Sequence, residues 1–299
     1  MSTELPPTID PVAAQRWGTM SASSSPWLHE EVARRMEERL QWIKLQPSIW
    51  IHWEPLRGGV QAHGLLHKRY PKSTAVVIET TAVRTQDVLQ ALSQPWWRPS
   101  RWRAGPTHFE MPPTAKAQML WANMALHMAA DPQKLIAQWH QAVAVDGFIM
   151  FSCFGPDTLT RLRQLYAALG WPPAAHEFTD MHDWGDMLVS AGFAEPVMDM
   201  ERISLSFESP QRLLQELRGL GRNLNPQRFV GLRGKNWLAD LHRVLAEQLK
   251  GPQGGLILEF EIIYGHAFKP ASRLKIAAEN RVSLDQMRAA LQQSKPAGR

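Results

Sequence analysis

The stretch "SIWIHWEPLRGGVQAHGLLHKRYPKSTAVVIE", residues 48–79, decides the fold. A short apolar run over 48–53 leads into Gly58 and Gly59. Residues 60–69 have helical character, and a second apolar run over 74–79 ends on Glu79. Strand, glycine turn, helix and strand, in that order, form a nucleotide-binding βαβ unit. An acid closing the second strand, about twenty residues after the glycines, is placed to accept ribose hydroxyls. Glu79 is therefore a candidate binding residue, with Gly58 and Gly59 as the turn. The loop also carries Glu54, Pro55 and Arg57, which such turns ordinarily lack.

Working outward, "SSSPWLHEEVARRMEERLQWIKL" predicts a helix capped by Ser25, with Pro26 in its first turn. Further strands are predicted at 117–123 and 147–154. Helices are predicted at 83–93, at 131–143 behind Asp131 and Pro132, and at 156–169. Continuous apolar runs separated by helices indicate a parallel sheet covered on both faces. "DMHDWGDMLVSAGF" reads as a helix stopped near Gly192. "PVMDMERISLSF" and "LILEFEIIYGHAFKP" read as two long strands forming an antiparallel pair near one edge. The helices between those strands, one of them behind Ser209 and Pro210, are expected to form a small cap inserted over about 208–250. The expected bounds are a flexible Pro-, Ser- and Thr-rich segment over 1–26, a main domain over 27–270, and a tail over 271–299 with a polar helix near 281–293.

The chain has 299 residues, 44% hydrophobic and 20% charged, so one sizeable core is affordable. The net charge of +5 favours an anionic partner. The basic residues are dispersed, so nucleic-acid binding is not indicated. "PWWRPSRWRAG" (95–105) could stack on a single-stranded base, but an interaction loop on the sheet edge is the favoured reading. No apolar run reaches the roughly 20 residues of a membrane span. The N-terminus lacks the pattern of a secretory signal, so a cytoplasmic protein is expected. A single cysteine, Cys153, excludes an intramolecular disulfide and a cysteine metal cluster, and no metal site is expected at His176, Asp180 and Asp183.

Four later stretches carry a resemblance. They are "NMALHMAADPQKLIAQWHQAVAVDGFIMFSCFGPDTLTRLRQLYAAL" (123–169), "HEFTDMHDWGDMLVSAGFAEPVMDMERISLSF" (176–207), "LLQELRGLGRNL" (213–224) and "IIYGHAFKP" (262–270). Together they resemble class I S-adenosylmethionine-dependent methyltransferases. More narrowly, they resemble the malonyl-acyl-carrier-protein O-methyltransferases of biotin synthesis. The resemblance implies a Rossmann-like methyltransferase sheet, mostly parallel with an antiparallel edge pair, plus a small helical cap. It implies S-adenosyl-L-methionine as cofactor and malonyl-acyl carrier protein or malonyl-coenzyme A as partner, with no nucleic acid and no membrane.

Under that resemblance the cofactor would be held by Glu54, Gly58, Gly59, Glu79, Glu110 of "HFEMPP", and Asn123 at the end of the fourth strand. Methyl transfer to a carboxylate needs no general base, because the nucleophile is already ionised at neutral pH. It needs alignment and a group that fixes the anion. His127 after the fourth strand, His182 near a helix start, and Arg218 in the cap are the candidate catalytic residues.

Upstream of residue 120 the resemblance weakens. The family's first motif resembles D-x-G-x-G-x-G. Aligned on Gly58, its acid falls on His52 and two of its glycines on Glu54 and Leu56. Aligned on Gly59, the acid falls on Trp53 and the glycines on Pro55 and Arg57. Two of three glycines are replaced either way. The alternative expectation is a catalytically silent methyltransferase-fold binding or regulatory protein that has lost cofactor binding.

Overall fold

The computed structural model describes residues 9–20, 24–92, 105–110, 116–252 and 254–271. Its strands are β1 Ile49–Trp53, β2 Thr74–Ile78, β3 Thr107–His108, β4 Ala117–Ala122, β5 Val143–Phe154, β6 Ala194–Phe207 and β7 Leu256–Phe268. They form one sheet in the order β3-β2-β1-β4-β5-β7-β6. Strands β1 to β5 pair in parallel, and β7 runs antiparallel to both β5 and β6. The mostly parallel sheet with an antiparallel edge pair is the architecture expected from the order of apolar runs. The chain moves outward through β2 and β3 and then returns to β4 beside β1. That reversal opens a crevice at the carboxyl ends of β1 and β4, where open α/β sheets bind their ligands.

The helices are α1 Pro11–Thr19, α2 Trp27–Arg39, the single turn α3 Pro55–Gly58, α4 Gln61–Arg69, α5 Ala82–Leu92, α6 Pro132–Ala142, α7 Thr160–Ala168, α8 Met181–Ser190, α9 Pro210–Leu220 and α10 Lys235–Gln248. Three begin where side-chain caps are legible in the sequence. Asp131 accepts from Lys134 N at 2.9 Å, Asp180 from His182 N at 2.8 Å, and Ser209 from Arg212 N at 3.2 Å. Helices α9 and α10 lie between β6 and β7 in the chain.

Three local readings differ from the structure. Ser25 does not cap α2: its hydroxyl donates to Glu30 and accepts from Val60 N, tying α2 to the loop after β1. The helix expected from residue 156 starts only at Thr160. There Glu261 of β7 accepts from Asp157 N at 2.6 Å, and Leu159 takes a left-handed conformation with φ of 58°. A contact from a distant strand overrides the local helical preference. The N-terminal stretch holds α1, capped by Asp10, which accepts from Val12 N at 2.9 Å. The predicted helix near 281–293 and nearly all of the Trp- and Arg-rich loop at 95–105 lie outside the described residues.

The period-2 alternation of strand side chains divides the core into two layers. Trp50, Met119, Trp121, Phe148 and Met150 pack with Val32 and Met36 of α2 and with the cap. Ile51, Leu120, Ile149 and Phe151 face the other way, against Ile136 and Trp139 of α6 and Trp184 and Leu188 of α8. Burial on both faces explains why these strands read as continuous apolar runs.

Candidate functional site

The crevice is shaped by the loop after β1. Glu54 ends that strand in the left-handed region, with φ of 48°. A glycine adopts this conformation without penalty, whereas another residue forfeits about 1–2 kcal/mol. Glu54 thus stands in the place of a glycine, which favours alignment of the degenerate motif on Gly58.

The two surviving glycines serve packing. A Cβ at Gly58 would lie 2.6 Å from the carbonyl oxygen of Asn123, so the loop rests directly on the end of β4. Gly59 has φ of 119° and faces Glu30 and Ala33 of α2. The loop's backbone donors are spent within the protein. Glu54 N donates to Ile78 O at 2.8 Å, and Leu56 N to Glu79 Oε1 at 2.9 Å. Arg57 N and Gly58 N both donate to Glu54 O, and Gly59 N donates to Pro55 O. Val60 N donates to Ser25 Oγ, and Gln61 N, at the start of α4, donates to the Glu30 carboxylate at 3.1 Å. The helix N-terminus that would attract an anionic ligand holds a carboxylate from α2 instead.

Glu79 follows β2 as the sequence places it, but its carboxylate faces inward and is 0% exposed. The Arg84 guanidinium, 1% exposed, lies 2.8 Å from Glu79 Oε2 and donates to Glu54 Oε2 at 3.2 Å. Arg84 also donates to Gly18 O and Thr80 Oγ1, both at 3.3 Å. Burial pushes the Glu79 carboxyl up to about 7 against the downward pull of Arg84 and the Leu56 amide. This is a buried ion-pair network, in which the removal of one member strands the others.

Above it lies α1. Arg57 stacks on Trp17, with the guanidinium 3.7 Å from the ring centroid. The same guanidinium donates to the carbonyls of Trp17 and Met20, the second at 2.6 Å. Burial lowers the Arg57 pKa to about 10, so it remains a cation at neutral pH. Trp17, Ile9 and Ala14 pack on Leu224 of the cap, and Asp10 pairs with Arg228 at 2.8 Å. Helix α1 therefore bridges the rebuilt loop and the cap.

What remains is a cleft of about 120 Å³. Glu54, Gly58, Asn123, Met128 and Leu220 are among its lining residues. Small-molecule sites generally measure ~300–1,000 Å³. Arg57 and Trp17 fill the space, Glu79 is turned away, and the loop amides are taken. As arranged, these residues do not fit S-adenosylmethionine.

Of the residues expected to act together, Glu54, Gly58 and Asn123 line this cleft. Asn123 ties the loop down: its amide donates to Gly58 O and to His29 O at 2.8 Å, and its carbonyl accepts from Ser152 at 2.5 Å. Gly59 turns toward α2, and Glu110 is exposed beyond β3. His127 is buried against Phe154, with ring centroids 4.6 Å apart, and burial holds its pKa well below the usual range. A neutral imidazole cannot supply the charge an anionic substrate needs. His182 is 80% exposed on α8, bonded to its own cap Asp180 at 2.7 Å, and is not among the cleft's lining residues. Arg218 is exposed at the end of α9, next to Gly219 and Leu220 of the cleft wall.

Sequence reasoning overlooked Arg84, Trp17 and the role of Arg57. The one available signal was the opposed charge of Glu79 and Arg84, five residues apart across a strand-to-helix corner, and no periodicity rule covers that spacing. Among the described residues, no three His, Cys, Asp or Glu side chains form a group that could hold a metal ion. No helix there is long and apolar enough to cross a membrane.

No family model matches the chain. Curated relatives do. The malonyl-[acyl-carrier protein] O-methyltransferase of Gallionella capsiferriformans is 36% identical over 265 residues, covering 84% of this chain and 87% of its own. Its namesakes in Laribacter hongkongensis and Nitrosospira multiformis are 35% and 34% identical, covering 82% and 83% of this chain and 84% and 85% of their own. Among solved structures, the YcgJ protein of Bacillus subtilis superposes with a TM-score of 0.52 at 10% identity, over 80% of this chain and 99% of its own. A Bacillus halodurans protein assigned as a methyltransferase gives 0.51 at 11% identity, over 80% of this chain and all of its own. These two show the fold. The identity to the curated relatives, 34–36% over more than four-fifths of the chain, shows more: this chain belongs to the malonyl-[acyl-carrier protein] O-methyltransferase family.

Proposed function

We propose that the protein methylates the free carboxylate of malonyl-acyl carrier protein, a step of biotin synthesis, with S-adenosylmethionine as the methyl donor. Family membership across more than four-fifths of the chain carries this reading. The substrate carboxylate is ionised at neutral pH, its pKa being near 4, so no side chain has to remove a proton. The protein's task is to align the anion and hold it. Arg218 and Arg222, at the end of α9, are the cations nearest in sequence to the cleft wall at Gly219 and Leu220. His127 and His182 are left with positioning roles at most. No step is assigned to the donor, because the cleft as arranged does not admit it.

The cytoplasm is the proposed location. The carrier-bound malonyl group is the proposed substrate, with malonyl-coenzyme A as a smaller surrogate and neither nucleic acid nor membrane as partner. The test is incubation of the purified protein with malonyl-acyl carrier protein and S-adenosylmethionine, followed by mass spectrometry of the carrier. A carrier heavier by one methylene, its methyl ester resistant to decarboxylation, is the expected result. Absence of any methyl ester at stoichiometric protein would overturn the reading.

The closed cleft favours a second reading, a family member that keeps sheet and cap but has given up the donor. The relatives' names lend it no support. Calorimetric titration with S-adenosylhomocysteine separates the two, since only a donor-free protein ignores the ligand at millimolar concentration.

A further inference from the structure

We propose that the cap loop around Phe229–Lys235 is the docking surface for the acidic carrier protein that delivers the substrate. The inference rests on the methyl-transfer reading for the identity of the partner. Its physical basis is a mismatch between this loop and the rest of the surface. Phe229, Val230 and Leu232 are 46%, 88% and 102% exposed, three large apolar side chains within four residues. A run of this kind that no core covers marks an interaction site.

Charge selects the partner. Residues 208–250 hold eight basic and four acidic residues, a net of +4 within a chain whose total is +5. Arg212, Arg228 and Arg243 are neutralised by Glu216, Asp10 and the Asp240–Glu247 pair. Arg218, Arg222, Arg233 and Lys235 have no carboxylate within ion-pair distance among the described residues. The Arg233 guanidinium lies 4.1 Å from the Phe229 ring centroid and 4.0 Å from that of Trp237, so its charge is fixed among the apolar groups. Cations set within an apolar ledge complement an acidic protein face with apolar side chains at its centre. A short acyl thioester on its own offers nothing for such a ledge to grip.

The stretch leading to the ledge is tied to the segment before α8 by side-chain hydrogen bonds. Asn223 Nδ2 donates to Pro173 O at 2.7 Å and Asn225 Nδ2 to Ala175 O at 3.2 Å, while Asn225 Oδ1 accepts from Gln227 N at 2.8 Å. The chain itself links the ledge to the cleft: α9, whose Gly219 and Leu220 line the cleft, ends nine residues before Phe229. A carrier seated here would extend its prosthetic arm along that helix.

The experiment is titration of full-length protein into isotope-labelled holo acyl carrier protein, with NMR shifts giving both affinity and footprint. It is repeated on Arg233→Glu/Lys235→Glu and on Val230→Asp/Leu232→Asp, with the thermal midpoint as the check on folding. The wild type is expected to bind, more weakly as salt rises, and each double variant to lose about tenfold or more in affinity at an unchanged midpoint. Unchanged affinity in both variants, or no carrier binding at millimolar concentration, overturns the proposal. So does a wild-type dimer in sedimentation that the apolar double variant abolishes, since a second copy would then own the ledge. Ledge-dependent carrier binding without any methyl ester would leave the docking surface standing and remove the methyl-transfer reading.

Discussion

The two sides of the crevice contrast sharply. At the end of β4, Asn123 and the loop after it keep residues that the family resemblance anticipates, and Met124, Ala125 and Met128 line the cleft. At the end of β1, the corresponding loop has become a solid corner. Glu54, Glu79, Arg57 and Arg84 fill it with charge, and α1 lies across the top. The lesson is that a glycine can outlive its ligand contact. Gly58 is held by the Asn123 carbonyl and Gly59 by α2, both packing constraints that persist whether or not a cofactor is bound. A surviving glycine pair is therefore evidence for the corner and not for the pocket.

The most severe way to break this comparison is to remove the ion at the centre of the corner. Arg84→Met leaves the buried Glu79 and the half-buried Glu54 without their cation, and should cost about 3–5 kcal/mol in denaturant unfolding. Adding Glu79→Gln should recover most of that loss, because the buried charge goes with it. A single variant as stable as wild type would show that the corner is not an interdependent network.

Acid should act on both sides through the buried histidines. Burial lowers His29 and His176 to about 4 and His63 to about 3. Between these values and the ordinary 6.5, the unfolded chain binds more protons than the folded one. Stability therefore rises with pH across that window and is lost as pH falls from 6.5 toward 4, by about 1.4 kcal/mol per pH unit for each such histidine. Glu79 acts in the opposite sense: its raised carboxyl stabilises the protonated fold, a contribution lost as pH rises toward 7. Several histidines outweigh one glutamate, so urea midpoints should fall steeply below pH 6.5. A flat profile from pH 7 to pH 4 would contradict the neutral buried imidazoles.

A sharper question is whether α1 alone keeps the corner shut. At nine residues it is too short to be a stable helix by itself, and Trp17 is its main plug. Trp17→Ala removes the stack on Arg57 and should tighten S-adenosylhomocysteine binding about tenfold, or ~1.4 kcal/mol, in calorimetry. Equal affinities in variant and wild type would place the obstruction in Glu54 and Arg57 instead. The mildest change is Asp180→Ala, which deletes the cap of α8 outside the cleft lining. A loss of about 1 kcal/mol with ligand binding untouched is expected. Altered binding would mean that α8 reaches the site after all.

By itself the sequence determined the sheet and its edge pair. Strand runs such as 74–78 and 147–154 are apolar on both faces, and caps such as Asp131 and Ser209 act over three residues, so local pattern suffices. The helices expected over about 208–250 likewise follow from local signals, and the structure places α9 and α10 there. Only the tertiary structure decided the state of the donor corner. That decision depends on groups brought together from residues 17, 54, 57, 79 and 84, through directional contacts that no local period encodes. It also turned His127 from a candidate at the ligand-binding edge into a buried neutral ring and left His182 on the outer surface, because burial is a property of what packs on a residue and not of the residue itself.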